Sequence, residues 1–222
     1  MRQLSASLLA LAAAFAVSTT ASASVFVDNF DAEGATKLNY TGFANWTVEN
    51  GTVDLLGTPS GYGIVCAGGS GSCVDMDGST SDPGVMVSKK VFNFKAFAPV
   101  TFRLDVSGNQ RTPTSDDISL GFRYVPSGPD ISVFTRTFAG FDPFGNYGVS
   151  GFFTADASVR LLINQATGTG PGSDNIGVII DNVKLTGFVP EPTTWALMIL
   201  GIGAVGGALR RKQRAAVNYN FA

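Results

Sequence analysis

Between residues 24 and 188, apolar positions come in short runs, some alternating with polar ones and some continuous. They recur roughly every 8–15 residues, with Gly, Pro, Asn and Asp in between. The pattern predicts strands at Ser24–Asn29, Trp46–Glu49, Val53–Leu56, Cys73–Asp75, Val85–Phe92, Val100–Val106, Asp117–Tyr124, Ile131–Ala139, Tyr147–Thr154, Ser158–Asn164 and Asn175–Gly187. Phe102, Leu104 and Val106 alternate with Arg103 and Asp105, as one buried and one wet face require. Ile118, Leu120, Phe122 and Tyr124 form a second period-2 set. No segment in this stretch sustains a 3.6-residue period. The expected fold is all-β, a β-sandwich of two antiparallel sheets, with most of the chain's 17 Phe filling the space between sheets.

The two ends break this pattern. Arg2, an apolar run from Leu8 to Val17 and the small residues Ala21-Ser22-Ala23 read as a signal peptide over residues 1–23, cut after Ala23. At the other end, Thr193–Leu209 carries no charge over 17 residues. As a helix it would be about 25 Å long, at the short end for crossing a bilayer. Glycines 201, 203, 206 and 207 suit close helix contact in lipid, and Trp195 stands where an interfacial aromatic belongs. Arg210, Arg211, Lys212 and Arg214 follow, and the positive-inside rule keeps them cytoplasmic. The body then lies on the far side of the inner membrane. Pro190 and Pro192 force an extended strip around Glu191, a form that a protease can bind. A plain membrane stop with a proline hinge would present the same residues. The expected organisation is therefore a signal peptide (1–23), a sandwich domain (24–188), a sorting segment (189–214, helix 193–209, basic cluster 210–214) and a short tail (215–222).

Composition narrows the chemistry. Without its two ends the chain carries ten Lys and Arg against sixteen Asp and Glu, a net charge of about −6. That balance argues against nucleic acid and anionic lipid heads as partners of the body. The chain has no His, which removes Ser-His-Asp and Cys-His catalysis and His-ligated zinc. Cys66 and Cys73 flank six Ala, Gly and Ser residues, and in an exported chain they are expected to close a small disulfide loop.

Two resemblances follow. Pro190-Glu191-Pro192, Trp195-Ala196, the Met-Ile-x-Gly-x-Gly run and the basic cluster resemble the PEP-CTERM sorting signal in its PEPxxWA variant. The resemblance implies recognition by an exosortase-type membrane protease and transient anchoring in the inner membrane. It also implies cleavage near the motif and transfer to the cell surface or medium, often beside exopolysaccharide. The tail Ala215–Ala222 departs from it, since members usually stop soon after the basic cluster. Val74-Asp75-Met76-Asp77-Gly78, Gly108-Asn109-Gln110-Arg111 and Asp181-Asn182-Val183 resemble exported galactose-binding-like jelly rolls, which implies at most carbohydrate or surface-polymer association.

Candidate sites in the body are weighed against ordinary structural roles. Asp28, Asp31 and Glu33 follow the first strand and Asp181 lies in the last; if those strands are neighbours, the four form a candidate structural calcium site, with plain surface acids the favoured alternative. Asp75–Asp82 has the EF-hand's acids but not its glycine position, so a strand end and turn are expected, with Asp77 and Ser79 bonding local backbone. Tyr40, Phe43, Trp46, Tyr62, Tyr124, Phe144 and Tyr147 could stack on sugars, although Trp46 looks like core. Arg111 could grip a carboxylate, although a hairpin turn explains it. No carboxylate pair stands out for glycoside hydrolysis. The expectation is a non-catalytic surface or matrix protein, associated with polysaccharide. The alternatives are a polysaccharide hydrolase or lyase, and a purely structural or adhesive protein. Ice binding is set aside because no Thr ladder repeats at a fixed period.

Overall fold

The computed structural model describes residues 22–80, 82–166, 175–188, 199–207 and 210. The chain divides into a unit spanning Ser22–Val189 and a second made of Met1–Ala21 with Pro190–Ala222. Twelve strands build the first unit: β1 (Ser22–Asp28), β2 (Trp46–Glu49), β3 (Asp54–Gly57), β4 (Ser72–Asp75), β5 (Val85–Ser88), β6 (Phe92–Phe94), β7 (Pro99–Ser107), β8 (Ser115–Tyr124), β9 (Asp130–Ala139), β10 (Gly145–Phe152), β11 (Ala157–Ala166) and β12 (Ile179–Phe188).

They form the expected antiparallel sandwich. One sheet runs β10-β7-β12-β4-β3 with β1 also on β12; the other runs β2-β5-β11-β8-β9 with β6 also on β11. The first and last strands are indeed neighbours, Asp28 opposite Val183 and Val27 opposite Lys184. Between the sheets lies one apolar core, with Trp46, Phe43, Phe102, Phe138, Leu104 and Ile118 fully buried. The alternation at Phe102–Val106 holds: inward Phe102 and Leu104 are buried, while Arg103 and Asp105 are only half-buried.

Most strand bounds lie within two residues of the sequence pattern; two differ by more, each for a local polar reason. The run Val85–Phe92 breaks after Ser88. There the Ser88 hydroxyl accepts the Leu161 N–H at 2.8 Å and donates to the Lys90 carbonyl at 2.9 Å. The Arg160 guanidinium also donates to the Ser88 and Lys89 carbonyls. Side chains thus satisfy the backbone groups that a continuous ladder would have used. The last strand starts at Ile179 rather than Asn175, because the Gly177 N–H goes to the Asp75 carboxylate and the Val178 N–H to Gln165 Oε1.

Cys66 and Cys73 form the expected disulfide, with Cα atoms 5.4 Å apart. Its loop covers a small apolar cluster, Leu56, Ile64 and Ile179, on the outer face of the first sheet. Closing a loop of this length contributes about 2 kcal/mol by restricting the unfolded chain.

Candidate functional site

Side chains alternate across a strand, so the buried residues of the second sheet fix which others face outward. Trp46 and Val48 of β2, Met86 of β5, Leu161 and Ile163 of β11, and Ile118, Leu120 and Phe122 of β8 pack into the core. Thr47 and Glu49, Val87, Arg160 and Arg123 therefore share the opposite face. The register places them side by side, Thr47 opposite Val87 and Arg160 opposite Arg123. With Ser88 and Lys89 they line an open groove of about 360 Å³.

The charges in this groove are distributed unevenly. Arg123 donates through Nε and Nη2 to the two oxygens of Asp130, at 2.7 and 2.9 Å, and through Nη1 to Glu49 at 2.7 Å. That two-pronged contact holds the Asp130 carboxyl below the usual carboxylate range and pushes the guanidinium further above its own. Arg160 donates to the main-chain carbonyls of Ser88 and Lys89, and Lys89 donates to the Phe43 carbonyl at 2.5 Å. Among the described residues neither makes an ion pair. One end of the groove thus holds two cations without a carboxylate, on a body that is acidic as a whole.

A second polar centre is internal. The Asp75 carboxylate is fully buried; it accepts N–H groups from Asp77 at 3.1 Å and Gly177 at 2.9 Å, and the Arg111 guanidinium at 2.8 Å. Burial pushes its carboxyl well above the usual range, while Arg111 and the two N–H groups pull against it. Gly177 is needed here, since a Cβ would lie 2.4 Å from the Asp77 nitrogen. Arg111 does grip a carboxylate, but the partner is Asp75 of this chain. Ser79 donates its N–H and its hydroxyl to the Asp54 carboxylate.

The four candidate calcium ligands are occupied by protein donors. Asp28 accepts Trp46 Nε1, Asn45 Nδ2 and the Phe30 N–H; Asp31 accepts the Ser72 N–H. Glu33 accepts the Ala44 N–H and the Tyr40 hydroxyl; Asp181 accepts the N–H groups of Ala67 and Asn182. Among the described residues no group of three or more His, Cys, Asp or Glu side chains could hold a metal ion. Burial first, then the nearby Asp31 and Asp105 charges, push the Asp181 carboxyl up to about 7. Of the aromatic candidates, Phe43 and Trp46 are core, while Tyr40, Tyr124, Phe144 and Tyr147 are half-buried. Only Tyr62 among them is exposed.

Most of the sorting segment falls outside the described residues: Pro190, Glu191, Pro192, Trp195, Ala196, Arg211, Lys212 and Arg214, as does Ala21 at the expected signal cleavage. Ala23 lies in β1, opposite Gly187. Residues 199–207 are helical with Ile199, Leu200, Ile202 and Val205 exposed, and Arg210 is helical and exposed. No helix among the described residues is long and apolar enough to cross a membrane.

Residues 188–212 match the PEP-CTERM protein-sorting motif, which marks the chain for export and sorting to the cell surface or extracellular space. No curated protein matches the chain. Among solved structures, the CBM22-1–GH10 modules of a Clostridium thermocellum endo-1,4-β-D-xylanase, complexed with xylohexaose, align at 14% identity and a TM-score of 0.48. That alignment covers 76% of this chain and 29% of that one, so this chain spans less than a third of the xylanase modules. An arabinose-bound GH51 α-L-arabinofuranosidase aligns at 12% identity with a TM-score of 0.50, over 68% of this chain and 24% of that one. The CBM22-1 xylan-binding domain of a Paenibacillus barcinonensis protein aligns at 8% identity with a TM-score of 0.48, over 78% and 99%. These likenesses are of fold.

Proposed function

We propose that the sandwich, residues 24–188, is a non-catalytic module that associates with an acidic polysaccharide after an exosortase-type protease has released the chain from the inner membrane. The observation that carries this reading is the open groove on the second sheet, whose Lys89–Arg160 end presents two cations with no acidic partner among the described residues. A shallow groove suits a polymer that enters from the side, and guanidinium and ammonium groups bond uronate or sulfate oxygens. The sorting motif supports a location where such polymers are found. The groove's carboxylates favour binding over hydrolysis: Glu49 and Asp130 are clamped by the same Arg123, and Asp130 is held ionised. A general acid would need a raised pKa.

Affinity electrophoresis of the intact chain tests this, in gels containing polygalacturonate or neutral xylan. Retardation is expected in the acidic gel, weakening with added salt as the charges are screened. Lys89→Glu, and Lys89→Glu with Arg160→Gln, are expected to abolish it while thermal melts show a folded sandwich. Equal mobility in acidic, neutral and empty gels would overturn the reading.

A further inference from the structure

Four exposed apolar side chains gather at one end of the sandwich. Phe97 and Phe152 are 68% and 60% exposed, and their rings lie 5.7 Å apart. Ile131 and Val133 are each about two-fifths exposed and share an apolar groove of about 240 Å³ with Phe152. Phe97 sits at φ 60, a conformation that is costly for a bulky residue. Its N–H is bonded to the Phe153 carbonyl at 2.7 Å, which fixes the turn that carries the ring.

The register shows where this end is. Phe152 pairs with Pro99, the adjacent Val100 pairs with Gly187, and Phe188 pairs with Ser22. Phe152 therefore lies level with the end of β12 and two strands away, about 10 Å at ordinary strand spacing. Phe188 is the last residue of β12, and the apolar segment of the sorting tail begins at Thr193. With four residues between them, two of them proline, Phe188 and Thr193 lie at most about 18 Å apart. Connectivity alone thus keeps the Phe97–Phe152 end within reach of any membrane that holds the tail.

We propose that this end of the sandwich rests on the phospholipid surface while the tail is anchored, with the Phe97 and Phe152 rings entering the interfacial layer. The inference rests on the reading of residues 193–209 as a membrane anchor. Phenyl rings supply apolar area to the interface. The neighbouring Lys95–Asp156 ion pair is neutral as a pair, so the contact is apolar and insensitive to salt, unlike the groove on the second sheet. Cleavage near Pro190 would then release the module by removing the tether, because two rings alone hold a bilayer weakly.

The test uses the full chain in vesicles of phosphatidylethanolamine and phosphatidylglycerol that carry a lipid with a photoactivatable diazirine near the glycerol. Lipid adducts are mapped by peptide mass spectrometry. Adducts are expected in the tail and in the body around residues 93–101 and 150–156, unchanged by 1 M salt. Phe97→Ser with Phe152→Ser should lower the body adducts about tenfold and leave the tail adducts unchanged, consistent with the apolar area two rings lose. Phe141→Ser, an exposed Phe elsewhere on the sandwich, should change neither. A labelled tail with an unlabelled body would overturn the proposal and leave the anchor intact. An unlabelled tail would overturn the anchor and the proposal together. Protein–protein adducts through residues 97 and 152 in place of lipid adducts would assign this end to a second copy, which also overturns it. The wild-type pattern decides the matter even if the double variant misfolds.

Discussion

Replacing Arg111 by Met removes the one cation that bonds the buried Asp75 among the described residues and tests whether the charge of that pair matters to the fold. Met keeps much of the aliphatic stem and removes the guanidinium. At pH 7.5 the variant must either hold an uncompensated carboxylate that is 1% exposed or protonate it. Breaking a buried pair from one side costs about 3 kcal/mol or more, and the lost bond to the Asn175 carbonyl adds about 1 kcal/mol. The cost depends on pH. Because burial pushes the Asp75 carboxyl above its ordinary range, lowering the pH favours the neutral acid in the folded state, and more so without Arg111. The cost of losing Arg111 therefore shrinks toward the smaller hydrogen-bond loss as pH falls from 7.5 to 4.5. Denaturant unfolding of wild type and variant at pH 4.5 and 7.5 reads this directly. The expected thermal counterpart at pH 7.5 is a drop of about 8–16 °C for a domain of this size. An equal loss at both pH values would show that Arg111 acts by packing and hydrogen bonding alone. No loss at either would show that the pair contributes nothing.

Asp181→Asn should flatten a pH dependence. The folded carboxyl titrates near 7 against about 4 when unfolded, so the wild type loses stability as pH rises through that window. The variant should lack this decline in melts taken from pH 5 to 8, and a wild type already flat over that range would refute it. Asp28→Ala leaves the Trp46 indole N–H and the Phe30 N–H without their acceptor and should cost about 2–3 kcal/mol in denaturant unfolding; a cost below 0.5 kcal/mol would mean that water replaces the carboxylate. Reducing Cys66–Cys73, or changing both to Ser, should lower stability by about 2 kcal/mol without changing the far-ultraviolet spectrum. Loss of all β signal would show that the loop is required to fold, beyond its entropic contribution.

The fold was legible wherever a strand buries one face. Trp46–Glu49 ends where the pattern predicts, and the Val100–Val106 alternation lies within β7. It was illegible where side chains replace the ladder. Nothing local in Val85–Phe92 says that Ser88 will bond Leu161 across 73 positions, or that Asp75 will hold Gly177 across 102. The same limit explains Arg111. Its turn was visible, but that turn joins β7 of one sheet to β8 of the other instead of closing the expected hairpin, and its partner on β4 was not visible, because strand order is a tertiary fact that period-2 patterns do not encode.

The groove shows that limit most clearly. Its charged strand residues could each be assigned an outward face: Glu49 beside core-facing Val48, Arg123 beside buried Phe122, Arg160 beside buried Leu161. What made them one surface was the order β2-β5-β11-β8, which brings residues 49 and 123 to a 2.7 Å contact and sets Arg160 against main-chain carbonyls. An aromatic residue can be read from a single strand, whereas a surface assembled from four strands cannot. Jelly-roll strands bury most rings between the sheets, as with Phe43 and Trp46, and leave charge and hydroxyl on the outer face. In such a fold, an uncompensated outward cation on a central strand is a better pointer to a ligand than a tryptophan. The Lys89 and Arg160 substitutions apply that criterion to this chain.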